Sequence, residues 1–229
     1  MRHASTSLMI FAAGFGTRMG ALTAEKPKPL ITVGGKPLID HALDVAEGAG
    51  CAPIAVNTHF RAAQMAAHLA GRSGVTVSHE APDILDTGGG LKHALPHLPG
   101  DAIATLNSDA VWRGPNAVQA LLANWDPARM DALLLCVPPE RAHGRKGGGD
   151  FSISADGRLS RGGAAVYVGA QILRPDRVAA YPEQAFSLNA IWDLIAADGR
   201  LFGLVYPGHW CDVGHPEGLA EAEALLSGV

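Results

Sequence analysis

Residues 8–20 read LMIFAAGFGTRMG, a short apolar run followed directly by a glycine-rich segment. The run at 8–12 predicts a strand buried on both faces, as in a parallel sheet. Glycines after such a strand let backbone N–H groups approach a phosphate, and Arg18 adds positive charge. We therefore predict a first strand that feeds an anion-binding loop, with an ordinary glycine-rich turn as the alternative.

Two common phosphate-binding motifs do not fit this segment. A Rossmann fingerprint needs Gly or Ala where Met19 stands, and an acidic residue at the end of the second strand, where Asn57 and Thr58 stand. A Walker loop needs Gly-Lys-Ser/Thr after its spacer, which the segment lacks. A dehydrogenase and a P-loop enzyme are therefore disfavoured.

Strand and helix patterns alternate beyond the first loop. Predicted strands are residues 54–56, 75–77, 102–106 and 132–137, and predicted helices are residues 38–49, 62–69, 115–124, 187–197 and 216–226. After Gly147 shorter, partly antiparallel strands are expected at 150–154, 164–173 and 201–206. This order predicts an α/β, Rossmann-like open sheet, mixed but mostly parallel, with helices on both faces. No polar linker interrupts it, so we expect a single domain over residues 1–229.

Composition narrows the function classes. The 229 residues are 48% hydrophobic and 17% charged, which excludes a disordered chain, and no run is long enough to span a bilayer. A net charge of −4 disfavours nucleic-acid and membrane partners. Glycine and proline are in excess, with 28 and 15 residues, but follow no repeat. Three scattered cysteines and an N-terminus without a signal-peptide pattern favour the cytoplasm.

A second cation stands in an unusual frame. Lys28 follows Arg18 by ten residues and lies between Pro27 and Pro29. Proline fixes φ and disfavours a helical preceding residue, so we expect Lys28 to be displayed on an extended, non-helical stretch. The alternative is that Lys28 lies in an ordinary solvent-exposed loop without a ligand-binding role. Together the two cations could hold a polyphosphate and offset charge that develops on it.

These residues resemble those of a known family. Gly14–Arg18 followed by Pro27–Leu30 is similar to the signature of the sugar-1-phosphate nucleotidylyltransferases. Further matching segments extend in order along most of the chain: residues 34–39, the loop expected at 86–90, the strand end at 107–109 and the segment 208–214. The resemblance implies the nucleotide-diphospho-sugar transferase fold, with residues 1–146 mainly binding the nucleotide and 147–229 mainly the sugar.

Within this family the chain most resembles the N-acetylmuramate-1-phosphate uridylyltransferases, through Thr87–Gly90, Gly149–Phe151 and its short length. That resemblance implies an NTP and a sugar 1-phosphate as substrates, and the expected pair is UTP and N-acetylmuramate 1-phosphate. It also implies Mg²⁺ as cofactor and a role in peptidoglycan recycling. Phe15, Ser108 and the Gly147-Gly148 insertion depart from the family pattern. They leave open a guanylyl- or thymidylyltransferase acting on another hexose 1-phosphate, and a non-catalytic sensor on the same fold is a further alternative.

The family positions also imply the site. Arg18 and Lys28 would act in catalysis, and Asp109 and Asp212 would bind the metal ion. The nucleotide would contact both cations together with Ala12, Ala13, Gly14, Gly16, Thr17, Thr87 and Gly88, and the sugar would contact Asn107, Gly149 and Asp150.

Histidine and tryptophan residues are expected to be mainly structural. His93 and His97 are four residues apart, but Pro96 interrupts the helix, so a zinc site is disfavoured. His59, His79 and His209 are expected near the cleft in surface or core roles, with ligand contact as the alternative. The four tryptophans are expected in the core or the cleft wall, and Trp210, beside Asp212, is the only one that could contact a ligand.

Overall fold

The computed structural model describes residues 5–228, and residues 1–4, at the start of the stretch tested for a signal peptide, lie outside it. Its strands are β1 (Ser7–Phe11), β2 (Thr32–Val33), β3 (Lys36–Pro37), β4 (Ile54–Thr58), β5 (Val75–His79), β6 (Ile103–Asn107), β7 (Ala110–Arg113), β8 (Ala132–Val137), β9 (Ala142–His143), β10 (Phe151–Ile153), β11 (Leu159–Arg161), β12 (Val166–Leu173), β13 (Leu201–Val205) and β14 (His209–Asp212). Its α-helices are α1 (Leu38–Gly48), α2 (Ala62–Leu69), α3 (Asp86–Ala94), α4 (Ala117–Asn124), α5 (Asp176–Ala180), α6 (Leu188–Ala197) and α7 (Pro216–Ser227).

Seven strands form the central sheet in the order β13-β8-β12-β6-β1-β4-β5. Neighbours β6, β1, β4 and β5 are parallel, as are β13 and β8, while β12 runs antiparallel between β8 and β6. The predicted mixed, mostly parallel sheet is confirmed. Strand β12, which follows Gly147 in the chain, lies between strands that precede it, so one sheet contains both parts of the chain.

Helices cover both faces of the sheet because the strand residues alternate in direction. Leu8 and Ile10 point to one face and pack in a cluster with residues of α1, α2 and α4. Met9 and Ala55 point to the other face and pack with residues of α3, α5 and α6. The apolar run of the first strand is therefore buried on both sides, as its sequence predicts.

Local capping explains where several helices begin. The Asn116 side chain accepts hydrogen bonds from the N–H groups of Val118 and Gln119, and Ser187 does the same for Asn189. Pro216 occupies the first turn of α7, where its missing N–H costs no hydrogen bond. None of the helices within residues 5–228 is both long and apolar enough to cross a bilayer.

Two local predictions were wrong. Residues 86–90, predicted as a loop, form the first turn of α3, because their glycines let this helix pack against the segment that carries Phe186. Lys28 was predicted on an extended stretch, but Lys28–Leu30 forms one turn of 3₁₀ helix with Pro29 inside it. Pro27 alone is extended, and the single turn directs the lysine side chain inward, where it is buried.

A small second sheet completes the site edge. Its three strands are ordered β7-β14-β9, and β14 pairs antiparallel with β7 so that Asp212 lies opposite Ala110. Tyr206 anchors the preceding turn by donating its hydroxyl to the carbonyl oxygen of Pro115, 2.6 Å away. This sheet explains how a carboxylate near the end of the chain reaches the end of β6.

Candidate active site

A cavity opens at the carboxyl ends of β1, β4 and β6, the edge where open α/β sheets bind ligands. Its wall contains most of the residues predicted to bind the nucleotide: Ala12, Ala13, Gly14, Gly16, Thr17, Arg18, Lys28 and Thr87. It also contains Asn107 and Asp109. We refer to it as the nucleotide cavity. Gly88 is not in this wall but buried behind it, with its N–H donated to the carbonyl oxygen of Phe186 at 2.8 Å.

The glycine segment after β1 is shaped to pass over Lys28. Gly16 has a φ of +65°, and a Cβ atom at this position would lie 2.9 Å from Cβ of Lys28. Only glycine combines this backbone conformation with so close an approach. The Thr23 hydroxyl donates to the carbonyl oxygen of Gly16 at 3.1 Å, which ties the end of the segment to its start. Residues 17–23 between them form 3₁₀ turns.

The two cations of the cavity differ in exposure. Lys28 is only 7% exposed, and its Nζ atom lies 2.6 Å from Oδ2 of Asp109. Arg18 is exposed at the cavity wall and makes no ion pair with a carboxylate of residues 5–228. A buried cation at the base of the cavity and a free one at its rim suit an extended anion that reaches from inside to outside.

Asp109 and Asp212 lie together although 103 residues separate them in the sequence. The N–H of Val213 donates to the carbonyl oxygen of Asp109 at 2.8 Å and joins the two segments. Burial, followed by the negative charge of Asp109, raises the pKa of the Asp212 carboxyl group to about 6, while Lys28 and Arg18 oppose the rise. A Cβ atom on Gly214 would lie 2.6 Å from Oδ2 of Asp212, so a larger residue at this position would require the carboxylate to shift.

This pair of carboxylates fits a hard divalent cation, because Mg²⁺ prefers oxygen ligands and usually completes its coordination with phosphate oxygens and water. The pKa of Asp212 is raised first by burial and then by the neighbouring charge of Asp109, so the pair places two carboxylates close together in a partly buried position. Within residues 5–228, no cluster of three or more His, Cys, Asp or Glu side chains could hold a metal ion. A cation here would therefore depend on its two carboxylates and on the ligand.

A buried polar chain that the sequence analysis missed supports the first strand. Asn57 accepts the N–H of Ala12 through Oδ1 at 2.6 Å and donates through Nδ2 to Oε1 of Glu80 at 2.6 Å. Glu80 is 1% exposed and also accepts the N–H of Leu85 at 2.8 Å. Asn57 and Glu80 both line the nucleotide cavity. Asn57 and Glu80 are 23 residues apart, and this separation matches no known sequence motif, so the sequence alone could not reveal the pair.

A second cavity adjoins the first, and we refer to it as the sugar-side cavity. The two share Phe11, Asp86, Thr87 and Asn107. The rest of its wall is formed by Arg145, Asp150, Phe151, Arg161, Tyr167, Ser187, Leu188, Asn189 and Trp192. The predicted sugar-binding residues Asn107 and Asp150 are thus in this wall. Gly149 is not, since its backbone packs against that of Ala164.

Several side chains of the sugar-side cavity were not predicted. Asp86, shared by both cavities, adopts a φ of +60°, a conformation that is uncommon outside glycine and is concentrated at functional sites. Arg145, also not predicted, pairs with the predicted residue Asp150 at 2.6 Å, and Asp150 accepts the N–H of Tyr167 at 2.9 Å. Trp192 lines this cavity, whereas Trp210 is buried in the core, and both positions agree with the expected core or cleft-wall placement of the tryptophans.

The histidines and cysteines have structural roles. His59, His79 and His209 lie outside both cavity walls, and the first two contact the backbone carbonyl oxygens of Glu80 and Thr58. All three cysteines are free and buried, and burial raises the pKa of each thiol, for Cys136 to about 12.

Comparison with known proteins agrees with this geometry. The sequence pattern of the MobA-like NTP transferase domain matches residues 8–225. Over 99% of both chains the protein is 40% identical to the N-acetylmuramate alpha-1-phosphate uridylyltransferase of Caulobacter vibrioides. It is 32% identical to the enzyme of that name from Neisseria meningitidis serogroup B, over 95% of this chain and 96% of that one.

Solved structures show the same fold. A putative glucose-1-phosphate thymidylyltransferase from Bacillus anthracis superposes with a TM-score of 0.82 at 18% identity, covering 99% of this chain and 96% of that chain. HddC from Yersinia pseudotuberculosis, complexed with GMP-PN, superposes with a TM-score of 0.76 at 21% identity, covering 95% and 98%. The predicted fold class and the predicted family resemblance are both confirmed. The chain is a nucleotidyltransferase that belongs to the MobA-like NTP transferase domain family.

Proposed function

We propose that this nucleotidyltransferase transfers a uridylyl group from UTP to N-acetylmuramate 1-phosphate with the help of Mg²⁺. The products would be UDP-N-acetylmuramate and pyrophosphate. The observation that carries the proposal is the contact between buried Lys28 and Asp109, beside Asp212, in the nucleotide cavity, which adjoins the sugar-side cavity through Asn107. Relatives that share the full length of the chain and carry this activity in their names support the choice of substrates.

The reaction needs positioning more than proton transfer. A phosphate oxygen of the sugar attacks the α-phosphorus of the NTP, and the bond from that phosphorus to the bridging oxygen breaks as pyrophosphate leaves. The nucleophile is already anionic, so no general base is required. Lys28 would bind the α-phosphate, and Arg18, at the rim, would bind the β- and γ-phosphates.

The remaining predicted residues divide between the two substrates. Backbone groups of Ala12, Ala13 and Gly14 would surround the base and ribose, together with Thr87. Asn107 and Asp150 would face the sugar. Asp109 and Asp212 would hold Mg²⁺, which when bound neutralises the phosphates and stabilises charge on the leaving group. An NTP substrate and buried reduced thiols favour a cytoplasmic enzyme, and N-acetylmuramate, a cell-wall sugar, suits peptidoglycan recycling.

A panel assay tests this proposal. Pyrophosphate release is measured with each of UTP, GTP, dTTP, CTP and ATP against several sugar 1-phosphates, with Mg²⁺ and with EDTA. The expected result is the highest kcat/KM for UTP with N-acetylmuramate 1-phosphate. No pyrophosphate release is expected with EDTA. A preference for GTP or dTTP with another hexose 1-phosphate would support the second candidate, a guanylyl- or thymidylyltransferase.

A further inference from the structure

The sugar-side cavity contains two arginines whose counter-ions lie in different places. Arg145 pairs with Asp150 at 2.6 Å, and both residues belong to the cavity wall, so their charges cancel there. Arg161 donates its Nε–H to Oδ1 of Asp193 at 2.8 Å, and Asp193 is not part of the wall. Arg161 therefore contributes a positive charge to the cavity wall, whereas its counter-ion, Asp193, lies outside the wall.

The Arg161 guanidinium is held in one orientation. Nη1 donates to Oδ1 of Asn189 at 2.8 Å and Nη2 donates to the carbonyl oxygen of the same residue at 3.1 Å. The group lies over the ring of Phe151 at 5.0 Å and that of Trp192 at 5.6 Å. Since a guanidinium carries five N–H donors, two remain for a ligand. A fixed, planar cation with free donors is suited to a carboxylate.

The sugar phosphate is not the group that Arg161 would bind. That phosphate must reach the α-phosphate of the NTP beside Lys28 and Asp109, which line the nucleotide cavity only. Arg161 lines the sugar-side cavity only, and Asp86 lies at the junction between the two. An anion bound by Arg161 would therefore be a second acidic group on the sugar, remote from its phosphate.

We infer that Arg161 is a specificity-determining residue that binds a carboxylate on the sugar, so that the preferred substrates are acidic sugar 1-phosphates. The inference rests on the proposed function, since N-acetylmuramate carries a lactyl ether whose carboxylate is ionised at neutral pH. N-acetylglucosamine 1-phosphate is the same molecule without that ether. Comparison of the two sugars isolates the contribution of the acidic group.

The experiment measures kcat/KM for uridylyl transfer to both sugars, under single-turnover conditions with excess enzyme so that the slower substrate is also quantified. Arg161→Met should lose about 10- to 100-fold toward N-acetylmuramate 1-phosphate, as expected for a lost charged hydrogen bond, and little toward N-acetylglucosamine 1-phosphate. Arg158→Met is the matched control. Arg158 is a neighbouring arginine that stacks on Phe202, is more than half exposed and lies outside the cavity wall.

An equal loss toward both sugars, or no loss toward either, would overturn the inference. Arg161→Lys, which keeps the charge but not the planar fork, should lose an intermediate amount and serves if the methionine variant does not fold. A hexuronate 1-phosphate separates this inference from the proposed function. If the wild-type enzyme rejects N-acetylmuramate 1-phosphate but uses the hexuronate, and Arg161→Met loses that activity, only the proposed function is refuted. If the wild-type enzyme prefers uncharged sugars throughout, both the proposed function and this inference are refuted.

Discussion

The Nζ atom of Lys28 lies 2.6 Å from Oδ2 of Asp109, although 81 residues separate them in the chain. The lysine thus places a buried positive charge beside one of two neighbouring carboxylates. Lys28→Met keeps the alkyl stem and removes the charge, and we expect kcat to fall by about 10²- to 10³-fold, as when one preorganised charge is removed from an active site. Pyrophosphate release at saturating substrates checks this.

Lys26→Met is the control for that variant. Lys26 is an exposed neighbour that lies outside both cavity walls, so its loss should leave kcat unchanged. Asp109→Asn should reduce kcat like Lys28→Met. Near-native turnover in either site variant, with a thermal unfolding curve that shows a folded protein, would contradict the assigned roles.

Asp212 should destabilise the protein when no cation is bound. Its pKa rises from 3.8 to about 6 on folding, because of burial and the charge of Asp109. Between these values the unfolded chain releases the proton while the folded protein keeps it, so the free energy of unfolding falls as the pH rises. Asp212→Asn should therefore raise the free energy of unfolding by about 1–3 kcal/mol above pH 6 and have no such effect below pH 4.

The measurement is denaturant unfolding in EDTA at pH 3.5 and pH 8, repeated at pH 8 with Mg²⁺ and UTP. The added ligands should stabilise the wild type more than Asp212→Asn, which lacks one of the carboxylates. If the variant is less stable than the wild type in EDTA at pH 8, ionised Asp212 does not destabilise the folded protein and this prediction is wrong.

The sequence predicts those parts of the site that depend on strand ends. The apolar run before Gly14 and the acidic residue after β6 mark where parallel strands stop, and ligands bind at that edge. Asp212 could be assigned only through the family resemblance, because β7 and β14 are too short for their pairing to be predicted from periodicity.

The residues that sequence reasoning missed are of ordinary type and act through partners distant in the chain. Glu80 and Arg161 become special only because Asn57 and Asn189 lie next to them in the folded protein. The error at residues 86–90 has a different cause. Three successive glycines lower helix propensity, but tertiary packing overrides this preference, since larger side chains would collide with the segment around Phe186 and with Glu80.

Glu80 should position the first strand for nucleotide binding. Both of its oxygens accept hydrogen bonds, from Asn57 and from the N–H of Leu85. Glu80→Gln puts an amide donor opposite one of these donors, which should lower the free energy of unfolding by about 1–3 kcal/mol and raise KM for the NTP more than it lowers kcat. Glu25→Gln, at an exposed position, is the control. Unchanged KM and stability would contradict this role.

Gly169 should be needed for the position of Asn107, one of the residues that both cavities share. Its φ is +73°, and a Cβ atom there would lie 2.7 Å from Cγ of Asn107, within an irregular stretch of β12. Gly169→Ala should therefore cost the conformational strain, about 1 kcal/mol, plus the displacement of Asn107, for a total of about 3 kcal/mol. Gly71→Ala is the matched control, because Gly71 has a φ of +83° but open space around it. We expect Gly169→Ala also to lower kcat/KM for the sugar 1-phosphate. Gly71→Ala should lose only the stability that corresponds to the backbone strain and should keep full activity. Equal loss of stability in the two variants, measured by denaturant unfolding, would show that Asn107 adapts without cost.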